Sequence, residues 1–348
     1  MTNAFLERVD IQHPIIQAPM GGANATPPAL VAAVSNAGGL GFLGAAYMSP
    51  DQIARECNAI RSLTTRPFGL NLFAPTDLSA PPADITAALE LIGRYHTELG
   101  LEPPGAPTLP TYTFDAQLEA ALDGGMSVFS FTFETLPAET IARVKRRDIY
   151  VVGTATTVEE ATILADLGVD AIAAQGSEAG AHRGTFGGSF ESSMVGTMAL
   201  VPQIVRALNL PVLAAGGIMN GQAIAATLKL GASAAALGTA FLVTDECGVA
   251  ESYKRLVLAA RDDGTRVTRA FSGRPARGIV NRAMTEIERS GTLLAYPYQN
   301  SLTRAMRTAA AKQDRPEFLS LWAGQAASLA RRMPAAKLVE TLVREMAE

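Results

Sequence analysis

The chain has 348 residues, 48% of them hydrophobic but only 6% aromatic, with 18% charged and a formal net charge of −4. That length suits a closed α/β barrel with an appendage, and the aliphatic, Ala-rich composition suits a large buried fraction. The mildly acidic balance and the lack of a basic block argue against nucleic acid or an anionic membrane as partner.

In chain order, the first eight residues do not read as a signal peptide, and no later run approaches membrane-spanning length. Pro14–Gln17 reads as a short apolar strand ending at Ala18-Pro19-Met20-Gly21-Gly22. A helix follows from about Pro28, where proline suits a first turn, to Asn36. Leu40–Leu43 is a second strand. Ser49-Pro50-Asp51 then opens a helix with an N-cap serine and a first-turn proline. Phe68–Phe73 is a third strand and carries Asn71 near its end. Residues 75–112 interrupt the rhythm with Pro75, Pro81, Pro82, Pro103, Pro104, Pro107 and Pro110 around one helix, about Asp84–Leu99. This stretch is expected to leave the barrel, as a lid. A short helix, about Asp115–Leu122, restores the alternation. Ser127–Phe131, Ile149–Val152, Ala171–Ala174, Val212–Ala214 and Ala234–Leu237 are strands four to eight, and Thr156/Thr157 open the helix Val158–Leu167.

Short, non-alternating apolar strands followed by helices are the signature of a parallel sheet covered on its outer face. Eight right-handed crossovers close it into a (β/α)8 TIM barrel. The expected organisation is a barrel domain over 1–245, including the excursion at about 75–112, and a helical appendage over 246–348 packed on it. A Gly/Arg-rich connection is expected at Arg266–Arg277. The loops after the strands form the active-site face of such a barrel.

Two of those loops fit a phosphate. Ala215-Gly216-Gly217-Ile218-Met219-Asn220-Gly221 follows strand seven, and Ala236-Leu237-Gly238-Thr239 follows strand eight. Glycine lets a phosphate approach backbone N–H groups, and a helix N-terminus favours its charge. Tight strand–helix turns are the plainer reading of either loop alone. One phosphate with no metal-ligand cluster suggests a mononucleotide cofactor. Gly39-Leu40-Gly41-Phe42-Leu43-Gly44 matches the dinucleotide fingerprint in letters only, because here the motif is itself the strand and follows a helix. Amides at strand ends, Asn71 and Gln175, together with the Gln17–Gly21 turn, suit a flat heterocycle of alternating donors and acceptors, such as an isoalloxazine edge.

The reactive candidate is His182, in the loop Gln175-Gly176-Ser177-Glu178-Ala179-Gly180-Ala181-His182-Arg183-Gly184. Imidazole can remove a proton near neutral pH or, when charged, hold an anion. A loop histidine is often structural, but this one follows strand six of a cofactor barrel. His13 and His96 carry no functional expectation. Arg183 reads equally as an anion's partner or as a solvated side chain. In the tail, Tyr296-Pro297-Tyr298-Gln299-Asn300 and Leu321-Trp322-Ala323-Gly324-Gln325 read first as packing. Their functional version brings Tyr296 or Tyr298 over the barrel mouth. Cys57 and Cys247 fit no metal spacing and read as reduced thiols of a cytoplasmic protein.

These motifs, with Gln17–Met20, Gly38–Leu43 and Pro67–Phe73, resemble the nitronate monooxygenase family, formerly called 2-nitropropane dioxygenases. The resemblance covers nearly the whole chain, and the histidine loop is its most specific part. It implies an FMN-dependent barrel that oxidises alkyl nitronates with O2 to a carbonyl compound and nitrite. The expected FMN contacts are Pro19, Met20, Gly21, Asn71, Gln175, Gly180, Ala181, Gly216, Gly217, Ala236, Leu237, Gly238 and Thr239. His182 matches the catalytic histidine, and Met20, His182, Tyr296 and Tyr298 are expected to face a nitronate or nitroalkane. Ala181 stands where the family often has glycine, which narrows the pocket, and Ala236 where it often has glutamine. The competing readings are an FMN-dependent enoyl-thioester reductase, an NAD(P)H:quinone reductase on the same scaffold, and a flavin-binding protein without turnover. The oligomeric state is open.

Overall fold

The computed structural model describes residues 3–76 and 84–348. Its barrel strands are β1 Ile15–Gln17, β2 Gly41–Gly44, β3 Phe68–Phe73, β4 Val128–Thr132, β5 Tyr150–Ala155 and β6 Ala171–Gln175. After a two-residue strand, β7 Ala181–His182, which stands outside the barrel, come β8 Val212–Ala215 and β9 Ala234–Leu237. The eight barrel strands pair in parallel in the order β1-β9-β8-β6-β5-β4-β3-β2. Leu40 closes the ring, its amide donating to Ile15 and its carbonyl accepting from Gln17, each at 2.9 Å. The result is the (β/α)8 barrel expected from the sequence.

Several strands run one to three residues past the apolar runs that announce them. Thr132, Thr154, Gln175 and Ala215 stay in register with their neighbours although three of them are polar. Their side chains meet a cavity rather than the core, so polarity there carries no penalty. The apolar positions divide by face. Leu43, Leu70, Phe129 and Ile172 pack outward against the helices. Ile16, Phe42, Val128, Val152 and Leu213 fill the barrel interior, and Phe5 and Val9 of the N-terminal helix Ala4–Val9 plug its floor.

The helix signals hold in detail. Ser49 Oγ accepts from the Gln52 amide while Gln52 Oε1 accepts from the Ser49 amide, a complete capping box ahead of Pro50. Thr157 caps the helix Val158–Asp166, and Asn220 caps Gly221–Lys229. The Gly39–Gly44 stretch owes its glycines to packing, not to a nucleotide. A Cβ on Gly41 would lie 2.2 Å from the Val31 carbonyl oxygen, and one on Gly44 would lie 2.6 Å from the Met20 backbone. Gly41→Ala should therefore destabilise the barrel by about 3 kcal/mol, read as a lowered Tm, because backbone rather than a side chain would have to move.

The described part of the excursion, 84–112, does not close over the cavity. Its helix, Thr86–Glu98, carries a stripe of Leu91, Ile92 and Tyr95 that must be buried, and Tyr95 finds the Phe318 ring at 5.4 Å. Tyr95 Oη donates to Glu286 at 2.9 Å, Arg282 grips both Glu98 oxygens at 2.7 Å, and Gln313 donates to the Leu99 carbonyl at 2.8 Å. The helix is thus a strut against the C-terminal helices, and no residue of 84–112 lines the cavity. Pro81 and Pro82 lie outside the described residues.

The regular structure of residues 246–348 is chiefly helix, but the Gly/Arg-rich connection expected at Arg266–Arg277 takes a different form. It folds as an antiparallel pair, β10 Thr265–Thr268 and β11 Ala276–Ile279, and β11 also pairs with β7. The last helix, Ala335–Met346, returns to the barrel, where Glu345 accepts from the Gly221 amide at 2.9 Å. Among the described residues no helix is long and apolar enough to cross a membrane.

Candidate active site

The C-terminal ends of the barrel strands open into a cavity of about 720 Å³, within the range of about 300–1,000 Å³ common for cofactor and ligand pockets. Its floor is the barrel interior, with Ile16, Phe42, Val152 and Leu213. Its walls come from the loops after the strands and from the C-terminal segment.

His182 stands in one wall. The loop that carries it is fixed from both sides. From the barrel, Gln175 donates to the His182 carbonyl at 3.0 Å and accepts from the Gly184 amide at 2.8 Å. From the C-terminal segment, β11 pairs Ala276 with His182 and Arg277 with Ala181. The imidazole is boxed by aromatic rings: Phe133 at 5.4 Å, Trp322 at 5.6 Å, Phe73 at 6.0 Å and Tyr296 at 6.2 Å between centroids. Two members of this wall hold left-handed backbones that their side chains disfavour, Ala181 at φ +62° and Phe133 at φ +92°. Strain of that kind collects at functional sites. It also explains why glycine suits position 181.

The hydrogen bonding of His182 assigns its proton. Ser272 Oγ lies 2.9 Å from Nε2 and 3.1 Å from the Arg274 carbonyl. With the hydroxyl donating to that carbonyl, its oxygen accepts from Nε2–H, and Nδ1 keeps a lone pair. Burial pushes the His182 pKa down to about 3, assisted by the positive charges of Arg274 and Arg307. The imidazole is therefore uncharged at neutral pH, with a free lone pair rather than a positive charge. Glu178, four residues earlier, does not offset this, because its carboxylate accepts from the Thr197 amide at 3.0 Å.

A second wall is rich in free amides. Gly216 and Gly217 turn with φ +116° and +72°, which only glycine adopts easily. The backbone N–H groups of Gly216, Gly217, Gly238 and Thr239 donate to no acceptor among the described residues. Thr239 Oγ1 accepts from the Gly324 amide at 2.9 Å, which leaves its own hydrogen free. Four unpaired amides and a hydroxyl beside an apolar cavity suit the phosphate of a mononucleotide. Asn71 adds an amide: its Nδ2 donates to Ser130 at 2.9 Å, and its Oδ1 has no partner in the described chain. A flavin mononucleotide fits this donor set.

Of the expected residues, Pro19, Met20, Gly21, Asn71, Gln175, Gly180, Ala181, His182, Gly216, Gly217, Ala236, Gly238 and Thr239 all line the one cavity. Leu237 does not. Strand alternation turns it outward into the core, where it is 1% exposed. Tyr296 reaches the site through the His182 ring, whereas Tyr298 packs against the hydrophobic core. Arg183 is neither solvated nor at the cavity's mouth: it is buried and donates to the carbonyls of Gln175, Thr156 and Ser193.

Sequence reading missed the cationic wall. Arg304 and Arg307, on the helix Arg304–Lys312, line the cavity. Arg274 covers the Phe133 ring at 4.0 Å. Burial pushes Arg307 down to about 10, so it stays charged at neutral pH. Tyr47, missed as well, lines the cavity beside them.

With this geometry in place, comparisons with known proteins bear on it. A family model described as nitronate monooxygenase matches residues 3–345. A probable nitronate monooxygenase of Staphylococcus saprophyticus is 39% identical over 343 residues, covering 98% of this chain and 96% of that one. A solved nitroalkane oxidase from Streptomyces ansochromogenes superposes with a TM-score of 0.92 at 41% identity, covering 99% and 98% of the two chains. FabK from Thermotoga maritima superposes with a TM-score of 0.77 at 28% identity, covering 100% and 96%.

Proposed function

We propose that this chain, which belongs to the nitronate monooxygenase family of flavin-dependent oxidoreductases, binds FMN and oxidises alkyl nitronates with O2 to a carbonyl compound and nitrite. The observation that carries the reading is His182: an uncharged, tautomer-fixed imidazole in an aromatic box, on the same cavity as the unpaired glycine amides.

In this reading the Gly216–Gly217 and Gly238–Thr239 amides hold the FMN phosphate. The Pro19–Gly21 turn, Asn71, Gly180 and Ala181 flank the ring. Gln175 lines the cavity too, but its amide is engaged by the His182 loop, so its first task is to position that loop. The flavin, when bound, supplies the electron-accepting and oxygen-reducing chemistry. The chain supplies orientation and proton handling. His182 Nδ1 takes the α-proton of a neutral nitroalkane, and the C–H electron pair enters the C=N bond of the nitronate. A nitronate that arrives already ionised needs no such step. The aromatic box excludes water around the reacting carbon. Both cysteines are buried and free, which fits work in a reducing cytoplasm.

The test is anaerobic mixing of the FMN-loaded protein with an alkyl nitronate and, separately, with NADH and NADPH. Bleaching of the oxidised flavin spectrum by the nitronate alone is expected. Bleaching by a nicotinamide with silence toward nitronate would move the chain to the reductases. A protein that takes up no FMN would overturn both readings.

A further inference from the structure

A neutral imidazole offers an anionic substrate no charge, so another group must hold the nitronate oxygens. The cationic wall has the means. Arg307 lies on the cavity with its Nε and Nη2 taken up by Thr303 and Asn300, while Nη1 donates to no described group. No carboxylate among the described residues lies within ion-pair distance of Arg307 or Arg304, and Arg304 is the charged neighbour that adds to the effect of burial in lowering the Arg307 pKa. Arg304 projects over the Tyr47 ring at 6.0 Å.

Tyr47 is the second, independent observation. Its ring meets Phe73 edge-on at 5.5 Å, one ring removed from His182. Its hydroxyl is sealed from water, yet it has no hydrogen-bond partner among the described residues. The Tyr296 hydroxyl stands beside it, and the two phenols act on each other without reaching the distance and angle of a good hydrogen bond. A buried hydroxyl without a partner is rare in a finished site and signals a missing acceptor. An oxyanion entering beside Arg307, with a small turn of the Tyr47 ring that brings its hydroxyl onto the anion, supplies one, and it balances a guanidinium that no acid compensates.

We propose that Arg307 Nη1 and Tyr47 Oη, flanked by Arg304 and Tyr296, form an oxyanion subsite that holds the nitro-group oxygens of the substrate while His182 faces its α-carbon. The identity of the natural ligand rests on the nitronate reading; the subsite itself does not.

The probe is nitrate, a planar oxyanion of the same charge, titrated into the FMN-loaded protein by isothermal calorimetry. Nitrate should bind, and Arg307→Gln should weaken it by roughly tenfold or more, the scale of a lost charge-assisted hydrogen bond. Tyr47→Phe, which removes only an oxygen atom, should weaken it in the same direction. His182→Ala should leave it within a factor of about two, because a neutral imidazole contributes little attraction to an anion. With nitronate as substrate, Arg307→Gln should raise KM much more than it lowers kcat. Nitrate that does not bind, binds equally well to the Tyr47→Phe and Arg307→Gln proteins, or loses its affinity in His182→Ala would overturn the subsite. If nitrate binds through Tyr47 and Arg307 but nitronates are not oxidised, the subsite stands and the proposed function falls.

Discussion

His182→Ala should leave FMN uptake intact and cut turnover on a neutral nitroalkane by about 10²–10⁴-fold, the usual contribution of a placed general base. The substitution removes the only imidazole on the cavity and leaves the glycine amides untouched. A preformed nitronate should lose much less, since no proton has to be removed. The ratio between the two substrates therefore isolates the proton step from packing damage. Equal losses on both would assign His182 a steric role, and unchanged rates on the nitroalkane would remove it from the chemistry. The same substitution changes the acid stability. The folded-state pKa of His182 lies near 3 against an ordinary 6.5, depressed by burial and by Arg274 and Arg307. Between those values the unfolded chain binds a proton that the folded chain refuses. The stability His182 contributes is thus complete above about pH 6.5 and is lost as the pH falls toward about 3. Denaturant titrations across that window should show a shallower pH slope for His182→Ala than for the parent protein.

The barrel was legible because parallel strands buried on both faces leave uninterrupted apolar runs, with glycine and proline marking each exit. The wall of free amides was legible for a related reason: consecutive glycines at Gly216 and Gly217 announce left-handed backbone, and such turns free their amides. Leu237 was avoidable. In a four-residue strand the neighbour of an inward Ala236 must face outward. The pairing of β7 with β11 had no local signal, since two residues carry no periodicity and their register is set by a hairpin almost a hundred positions away. Arginines on an amphipathic helix normally mark its wet face, so nothing in the sequence singles out Arg304 and Arg307, and only tertiary packing brings them to the cavity. Tyr296 and Tyr298 flank one proline, and nothing in the sequence decides which of them meets His182.

Glu160→Ala should be among the most damaging single changes outside the cavity, with an expected loss of about 3–5 kcal/mol. Glu160 is fully buried, and its two oxygens serve five donors. Oε2 accepts from the amide and the hydroxyl of Thr156, each at 2.6 Å. Oε1 accepts from the Thr185 hydroxyl at 2.6 Å and from the amides of Phe186 and Gly187 at 2.7 and 2.9 Å. Its position three residues after the cap Thr157 looks like a capping box, in which the side chain would turn back on its own helix. Instead it reaches sideways and ties the exit of β5 to the loop that follows His182. Alanine would strand these donors in the interior and take a balancing charge from the buried Arg183. At about 1–2 °C per kcal/mol for a chain of 348 residues, a loss of this size lowers Tm by roughly 5 °C. Thr185→Ala removes a single donor and should cost only about 1 kcal/mol. Activity should fall in Glu160→Ala even below its Tm, because Gly184 and Thr185 carry the strain from the freed loop back to His182. A Glu160→Ala protein that melts within a degree or two of the parent would show that the loop is held by Arg183 and Gln175 alone.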